Sequence, residues 1–323
     1  MRRIGGLVLS LLLAACAPVA PLPDAPLPGG PGVAVEGRPV SQGPADWRPA
    51  KDGFTWAGGL ELTSRATSRL HGLSDLEVRP DGRLVAVSDE GDLLTARLVL
   101  DRAGRLAGVA DAELRPLLAL DGRPIEGKQW GDSEGLALLP SGDMLVSFEL
   151  RHRIWLYPAD GGPPREATSP KAPLPPNGGL EALSADPERG PDAYLTASEN
   201  EGETWTCRLA APCVAGPRLD KPPEFGVVAV RALPGGRTAW LLRAFNPLIG
   251  NRIELRIVDR GGAVVDRHLI QRPATIDNFE GLAATPRSDG SVRFYLVSDD
   301  NFQPIQRTLL IALDWRPSTA ARR

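Results

Sequence analysis

Apolar residues along this chain come in short bursts bounded by Pro, Gly and Asp. The stretch from Asp132 to Glu149 is representative. An apolar run leaves Glu134, breaks at Pro140-Ser141-Gly142, and resumes from Met144 to Phe148. Runs this short, bounded by turn residues, predict buried strands rather than helices. Antiparallel strands return to their starting end, so Glu134 and Glu149 are expected side by side. The pattern recurs. Turn prolines stand at Pro80, Pro140, Pro187, Pro234 and Pro286, separated by 60, 47, 47 and 52 residues. Four places before each is an apolar residue: Leu76, Leu136, Leu183, Val230 and Leu282. A strand-like unit repeating about every 50 residues predicts a β-propeller, because one sheet cannot bury both its faces and must stack on neighbours. No long window carries a clean 3.6-residue apolar period, so helix content should be low.

The five units open at Gly72, Asp132, Gly178, Phe225 and Asn278. The last runs out after three strands, at Leu309 to Trp315, while Phe54 to Thr63 reads as a strand without a nearby partner. Both defects vanish if the N-terminal strand completes the final blade, which also removes exposed sheet edges. The expectation is an all-β, five-bladed propeller over residues 54–316, closed in this way. Six blades is the alternative if residues 64–131 hold another unit.

The N-terminal segment has a different character. Arg2 and Arg3 precede the apolar run Ile4 to Leu13, then Ala14-Ala15-Cys16. This is the layout of an export signal, too short to span a bilayer. Leu13-Ala14-Ala15-Cys16 resembles the lipobox of bacterial lipoproteins. The resemblance implies cleavage after residue 15 and a lipid on Cys16 as the membrane partner. With Ala17 rather than Asp next, it implies the outer membrane, facing the periplasm. Residues 16–53 are rich in Pro, Gly and Ala and read as a flexible tether; residues 317–323 read as a tail. Cys207 and Cys213 are the remaining cysteines, and in an oxidising compartment they are expected to form a local disulfide. No Cys/His spacing suggests zinc. The net charge of −3, or −5 without the signal, argues against a nucleic-acid partner.

The chemistry is sought where the repeats differ. At the strand starts stand Ser74-Asp75, Glu134, Glu181, Val228 and Glu280. At the ends of the returning strands stand Asp89-Glu90, Glu149, Glu199, Arg243 and Asp299-Asp300. In a propeller these ends gather at one mouth of the central channel. Clustered carboxylates need a compensating cation, and hard oxygen donors favour Ca²⁺. Glu134, Glu149, Glu181, Glu199, Glu280 and Asp299 are the candidate ligands, with Asn200, Asn278 and Asn301 as neutral donors nearby. The competing reading is that these acids accept turn N–H groups and that Glu-Gly-Leu recurs only because a blade begins that way. Lys128, Arg151, Arg153 and Arg243 approach the same mouth and would grip a small anionic substrate, unless they are ordinary salt-bridge partners. His152 and Glu134 are the candidate proton carriers. His71 is a further candidate, and His268 reads as structural. No Gly-x-Ser-x-Gly elbow or phosphate-binding P-loop is present.

Taken together, Gly72-Leu73-Ser74-Asp75-Leu76, Asp132-Ser133-Glu134-Gly135-Leu136, Ser147-Phe148-Glu149 with His152-Arg153-Ile154, and Phe279-Glu280-Gly281-Leu282 with Ser298-Asp299-Asp300 resemble the bacterial phytase-like family, "esterase-like activity of phytase". The resemblance covers about residues 54–315. It implies an exported propeller and hydrolysis of a phosphoester or related ester. The alternative is a non-catalytic envelope propeller that binds a ligand or protein partner at the same mouth.

Overall fold

A computed structural model describes residues 31–317 except Trp47 and Ala50. The expected signal, Cys16 and most of the expected tail lie outside the described residues. The described chain is all-β, with one short helix.

After β1 (Glu36–Pro39) and β2 (Phe54–Thr63) come β3 (Leu73–Val78), β4 (Arg83–Ser88), β5 (Asp92–Leu100) and β6 (Leu106–Pro116). The helix α1 (Lys128–Gly131) leads into β7 (Ser133–Leu138), β8 (Met144–Phe148), β9 (Arg153–Tyr157) and β10 (Arg165–Ala167). Then follow β11 (Ala182–Ala185), β12 (Ala193–Ala197), β13 (Thr204–Arg208) and β14 (Ala211–Ala215). The next set is β15 (Gly226–Leu233), β16 (Arg237–Asn246), β17 (Gly250–Val258) and β18 (Val264–Gln271). The chain ends in β19 (Asn278–Pro286), β20 (Val292–Asp299) and β21 (Leu309–Trp315).

Strands β7–β10, β11–β14 and β15–β18 are three antiparallel meanders. The remaining sheet of nine strands is two such runs, β3–β6 and β19–β20–β21–β2, joined by a single parallel bridge at Gly58 and Leu106, with β1 as the ninth strand, paired to β2. Strand β2 pairs antiparallel with β21, Phe54 opposite Trp315. The first strands pack in a cycle: β3 on β7, β7 on β11, β11 on β15, β15 on β19 and β19 on β3. Five apolar clusters fill the gaps between neighbouring sheets. One sets Val87 of β4 against Phe148 and Trp155; another sets Leu241 and Ile253 against Phe294 and Ile311. Sheets that bury both faces on neighbours in a cycle have the arrangement of a propeller.

One expectation is corrected. The described part of the stretch read as a free tether is packed onto the domain. Gly32 bridges Glu113, Val33 is buried, β1 pairs with β2, and the Val40 amide donates to the Gly59 carbonyl at 2.9 Å. The reason is physical: β1 covers backbone groups of β2 that a sheet edge would leave open. Cys207 and Cys213 form a disulfide across the β13–β14 hairpin. No helix among the described residues is long and apolar enough to cross a membrane.

Candidate functional site

The recurring strand start is a β-bulge. The register slips at Ser74 in β3, Glu134 in β7, Val228 in β15 and Glu280 in β19. A bulge inserts one residue that pairs with nothing opposite and re-aims its side chain. It frees Glu134 and Glu280 from the sheet. The glycine that follows has a separate purpose. A Cβ on Gly135 would lie 2.5 Å from the Glu181 carbonyl oxygen, and one on Gly281 would lie 2.8 Å from the Asp75 Cα. Glycine lets the first strands approach this closely. The Glu-Gly-Leu repeat therefore combines a re-aimed acid with a packing requirement.

The bulge at Ser74 also corrects one placement. Asp75 is not at the mouth but fully buried below it, one position further along the strand. It is paired with Arg231, whose Nη2 donates to Oδ1 at 2.8 Å and Oδ2 at 2.9 Å. The amides of Leu76, Leu136 and Leu282 also donate to Asp75. Arg231 donates in turn to the carbonyls of Leu76, Leu183 and Val230, and its Nε lies 3.3 Å from Glu77. These partners come from β3, β7, β11, β15 and β19, so one ion pair ties all five first strands together. Burial opposes the Arg231 charge, but Asp75 and Glu77 hold its pKa above the ordinary arginine value.

Above this pair lies the mouth, where acids and cations divide into groups. Lys128, one turn before Asp132, bridges Asp89 at 2.6 Å and Asp132 at 3.0 Å. Burial opposes its charge, yet the two aspartates raise its pKa. Across the mouth Arg243 donates to Glu280, to Asn278 at 2.9 Å and to Glu199 at 3.2 Å. Arg243 thus stands between two acids of flanking sheets. Glu149 accepts the backbone N–H groups of Gly178 and Gly179, as the competing sequence reading supposes for acids at strand ends. Asp299 accepts the Asn301 amide at 2.7 Å.

Two acids remain. The carboxylates of Glu134 and Glu181 have no hydrogen-bond or ion-pair partner among the described residues, and Glu181 is nine-tenths buried. Burial, then Asp132 and Glu149, push the Glu134 pKa well up. Burial, then Glu199 and Glu134, do the same to Glu181. Asp89 is raised to about 7 and Asp299 to about 6, burial being the main cause in each. Asp132, Glu134 and Glu149 place one oxygen each within 4.8 Å of one another. Asp132 Oδ1 is buried and faces the Lys128 ammonium at 3.0 Å, while Glu134 has no such partner. An all-oxygen donor set with a partnerless carboxylate fits a hard divalent cation. The repeat comparison does not single out Asp132, because it lies just before the strand rather than at an aligned position.

The other predicted residues lie to one side. Arg151 stacks on Trp130 at 3.8 Å. Arg153 lies over the rings of Phe148 and Trp155, at 4.0 and 4.3 Å, and donates to the carbonyls of Trp130 and Arg151. Burial lowers its pKa to about 10. His152 Nε2 is 2.8 Å from the Pro175 carbonyl, and its Nδ1 is buried without a partner. His71 packs edge-on against Phe302, and His268 pairs with Asp52 at 2.7 Å.

The family model "Phytase-like: Esterase-like activity of phytase" matches residues 68–302. The chain belongs to this family. The matched span contains the acids of the mouth, Lys128 and Arg243, and excludes β2 and β21. No curated protein matches the chain. Among solved structures, a putative gluconolactonase aligns with a TM-score of 0.47 at 14% identity, covering 87% of this chain and 99% of that one. A streptogramin B lyase aligns at 0.43 and 10% identity, covering 88% and 98%. A protein of unknown function from Bacteroides caccae aligns at 0.41 and 10% identity, covering 89% and 100%.

Proposed function

We propose that this phytase-like protein is an exported hydrolase of a phosphoester or related ester, built as a five-bladed propeller in which β2 completes the last blade. The observation that carries the reading is the pair of partnerless carboxylates, Glu134 and Glu181, beside Asp132 and Glu149. Asp132, Glu134 and Glu149 would hold a divalent cation, Ca²⁺ by the chemistry of the donors. Such an ion supplies Lewis-acid polarisation of the phosphoryl or carbonyl oxygen. The remaining work belongs to the chain. Arg243 uses three of its five N–H donors on Glu280, Asn278 and Glu199, leaving two that can orient an anionic ester. Glu181 takes a proton from water as the water oxygen bonds to phosphorus or carbon. The ester oxygen leaves with its bonding electrons and receives that proton, so alcohol and acid are the products. The raised pKa of Glu181 suits both halves of this transfer. His152 is left out of it, because its Nε2 is engaged by Pro175 and its Nδ1 is enclosed. Lipid attachment at Cys16 and an outer-membrane location facing the periplasm belong to the same proposal, on the strength of the lipobox-like segment.

Hydrolysis of an aryl phosphate and an aryl ester, with Ca²⁺ and with chelator, tests the reading. Turnover should need the ion and should disappear in Glu134→Gln and in Glu181→Gln. Turnover untouched by either substitution would overturn it. A clean protein inert on both esters would favour the envelope-binding alternative.

A further inference from the structure

A cleft of about 1130 Å³ opens from the Arg243 side of the mouth. It runs outward between the β16–β17 hairpin and the loop joining β20 to β21. Strands β16 and β17 are 10 and 9 residues long, against 5 each for β8 and β9. The extra length carries the hairpin tip above the face. Phe245 on the hairpin is 68% exposed, and Ile305 on the opposite loop is 88% exposed. Pro223, Pro273, Ala274 and Ile276 continue the apolar lining between them. Scattered exposed apolar residues need no explanation; several lining one cleft that leads into a polar site do.

Three acids, Glu199, Glu224 and Asp277, and three guanidiniums, Arg243, Arg272 and Arg307, line the cleft. Glu199 is paired with Arg243, Glu224 with Arg252 and Asp277 with Arg307. Arg272 also lines the cleft and has no acidic partner among the described residues. The cleft therefore offers Arg272 without an acidic partner among the described residues, the two spare Arg243 donors at its inner end, and apolar walls leading away.

We infer that the cleft takes the apolar alcohol portion of a monomeric, single-chain amphiphilic phosphoester, with the phosphoryl group held at the Arg243 end. This rests on the hydrolase reading for what happens to that group, but not for binding. Calorimetry with ethylphosphonate and decylphosphonate, below the micellar range, tests binding without turnover. Decylphosphonate should bind at least about tenfold more tightly, since each methylene buried in the cleft adds to affinity. The exposed-site variants Phe245→Ser and Ile305→Ser should weaken decylphosphonate about tenfold and leave ethylphosphonate unchanged. Equal affinity for the two chain lengths would overturn the inference. So would insensitivity to both variants, or binding to phosphatidylglycerol vesicles but not to monomeric decylphosphonate. If decylphosphonate binds as expected and no ester is hydrolysed, the cleft stands and the hydrolase reading falls. If a short aryl phosphate is hydrolysed with no effect of chain length on binding, the reverse holds.

Discussion

Replacing Arg231 by Met keeps a long apolar stem and deletes the cation at the centre of the ring. The Asp75 carboxylate then keeps its three amide donors but loses its counter-charge. Glu77 loses its partner, and the carbonyls of Leu76, Leu183 and Val230 each lose a donor. Removing one member of a buried ion pair costs about 3–5 kcal/mol. Against a total stability of about 5–15 kcal/mol this is a large fraction. At about 2–4 °C per kcal/mol for a domain of this size, Tm should fall by about 6–20 °C. Guanidinium denaturation followed by tryptophan fluorescence and by far-ultraviolet circular dichroism would read the midpoint, with the slope m expected to be unchanged. The double variant Asp75→Ala/Arg231→Met should lose clearly less than the sum of the two single losses, because the residues are coupled. A loss below about 1 kcal/mol for Arg231→Met, or strict additivity in the double variant, would refute the claim that this pair holds the ring.

Other outcomes follow from the mouth and the margins. Asp89 and Asp299 have folded-state pKa values of about 7 and about 6, above the ordinary aspartate value of about 3.9. The folded protein therefore binds these protons more tightly than the unfolded chain. The stability they lend is complete below about pH 4 and is lost as pH rises toward 7. Thermal melts in chelator should show this decline, and it should flatten in Asp89→Asn. Cation binding must displace protons from Glu134, so the Tm increment from Ca²⁺ should grow between pH 5 and pH 8. Glu134→Gln should abolish that increment while raising the cation-free Tm at pH 7.5, since it removes a charge crowded by Asp132 and Glu149. Cys207→Ser/Cys213→Ser opens a loop of about seven residues and should cost about 2 kcal/mol in denaturant melts. A chain beginning at residue 65 lacks β2, exposes the edge of β21, and should aggregate on size-exclusion chromatography.

The repeat of apolar residues four places before each turn proline was enough to align Leu76, Leu136, Leu183, Val230 and Leu282, which lie on the five first strands. The pairing of β2 with β21 followed from an unpartnered strand at one end and a missing strand at the other. Bulges were not legible, because a bulge shifts register by one residue without changing composition. That single residue moved Asp75 from the mouth to the core and kept Glu134 at the mouth. Arg231 is hidden for a related reason: a lone arginine beside Val230 reads as a surface position, and its partner Asp75 lies 156 residues away in sequence. Arg151 and Arg153 follow Glu149 closely in sequence, yet stack on Trp130, Phe148 and Trp155, because residues 149–152 form the turn between β8 and β9, where strand alternation does not set side-chain direction. Arg243 was found because it broke the acidic pattern, and it does bridge the acids of its two neighbours.

The Asp75–Arg231 pair has a consequence for traffic. With Asp75 fully enclosed and Arg231 almost so, the axis of the ring is a cul-de-sac. Whatever arrives at Glu134 and Glu181 must depart through the doorway it came in by. Spent alcohol and fresh ester would then compete for the same passage, and accumulated product should slow the arrival of new molecules.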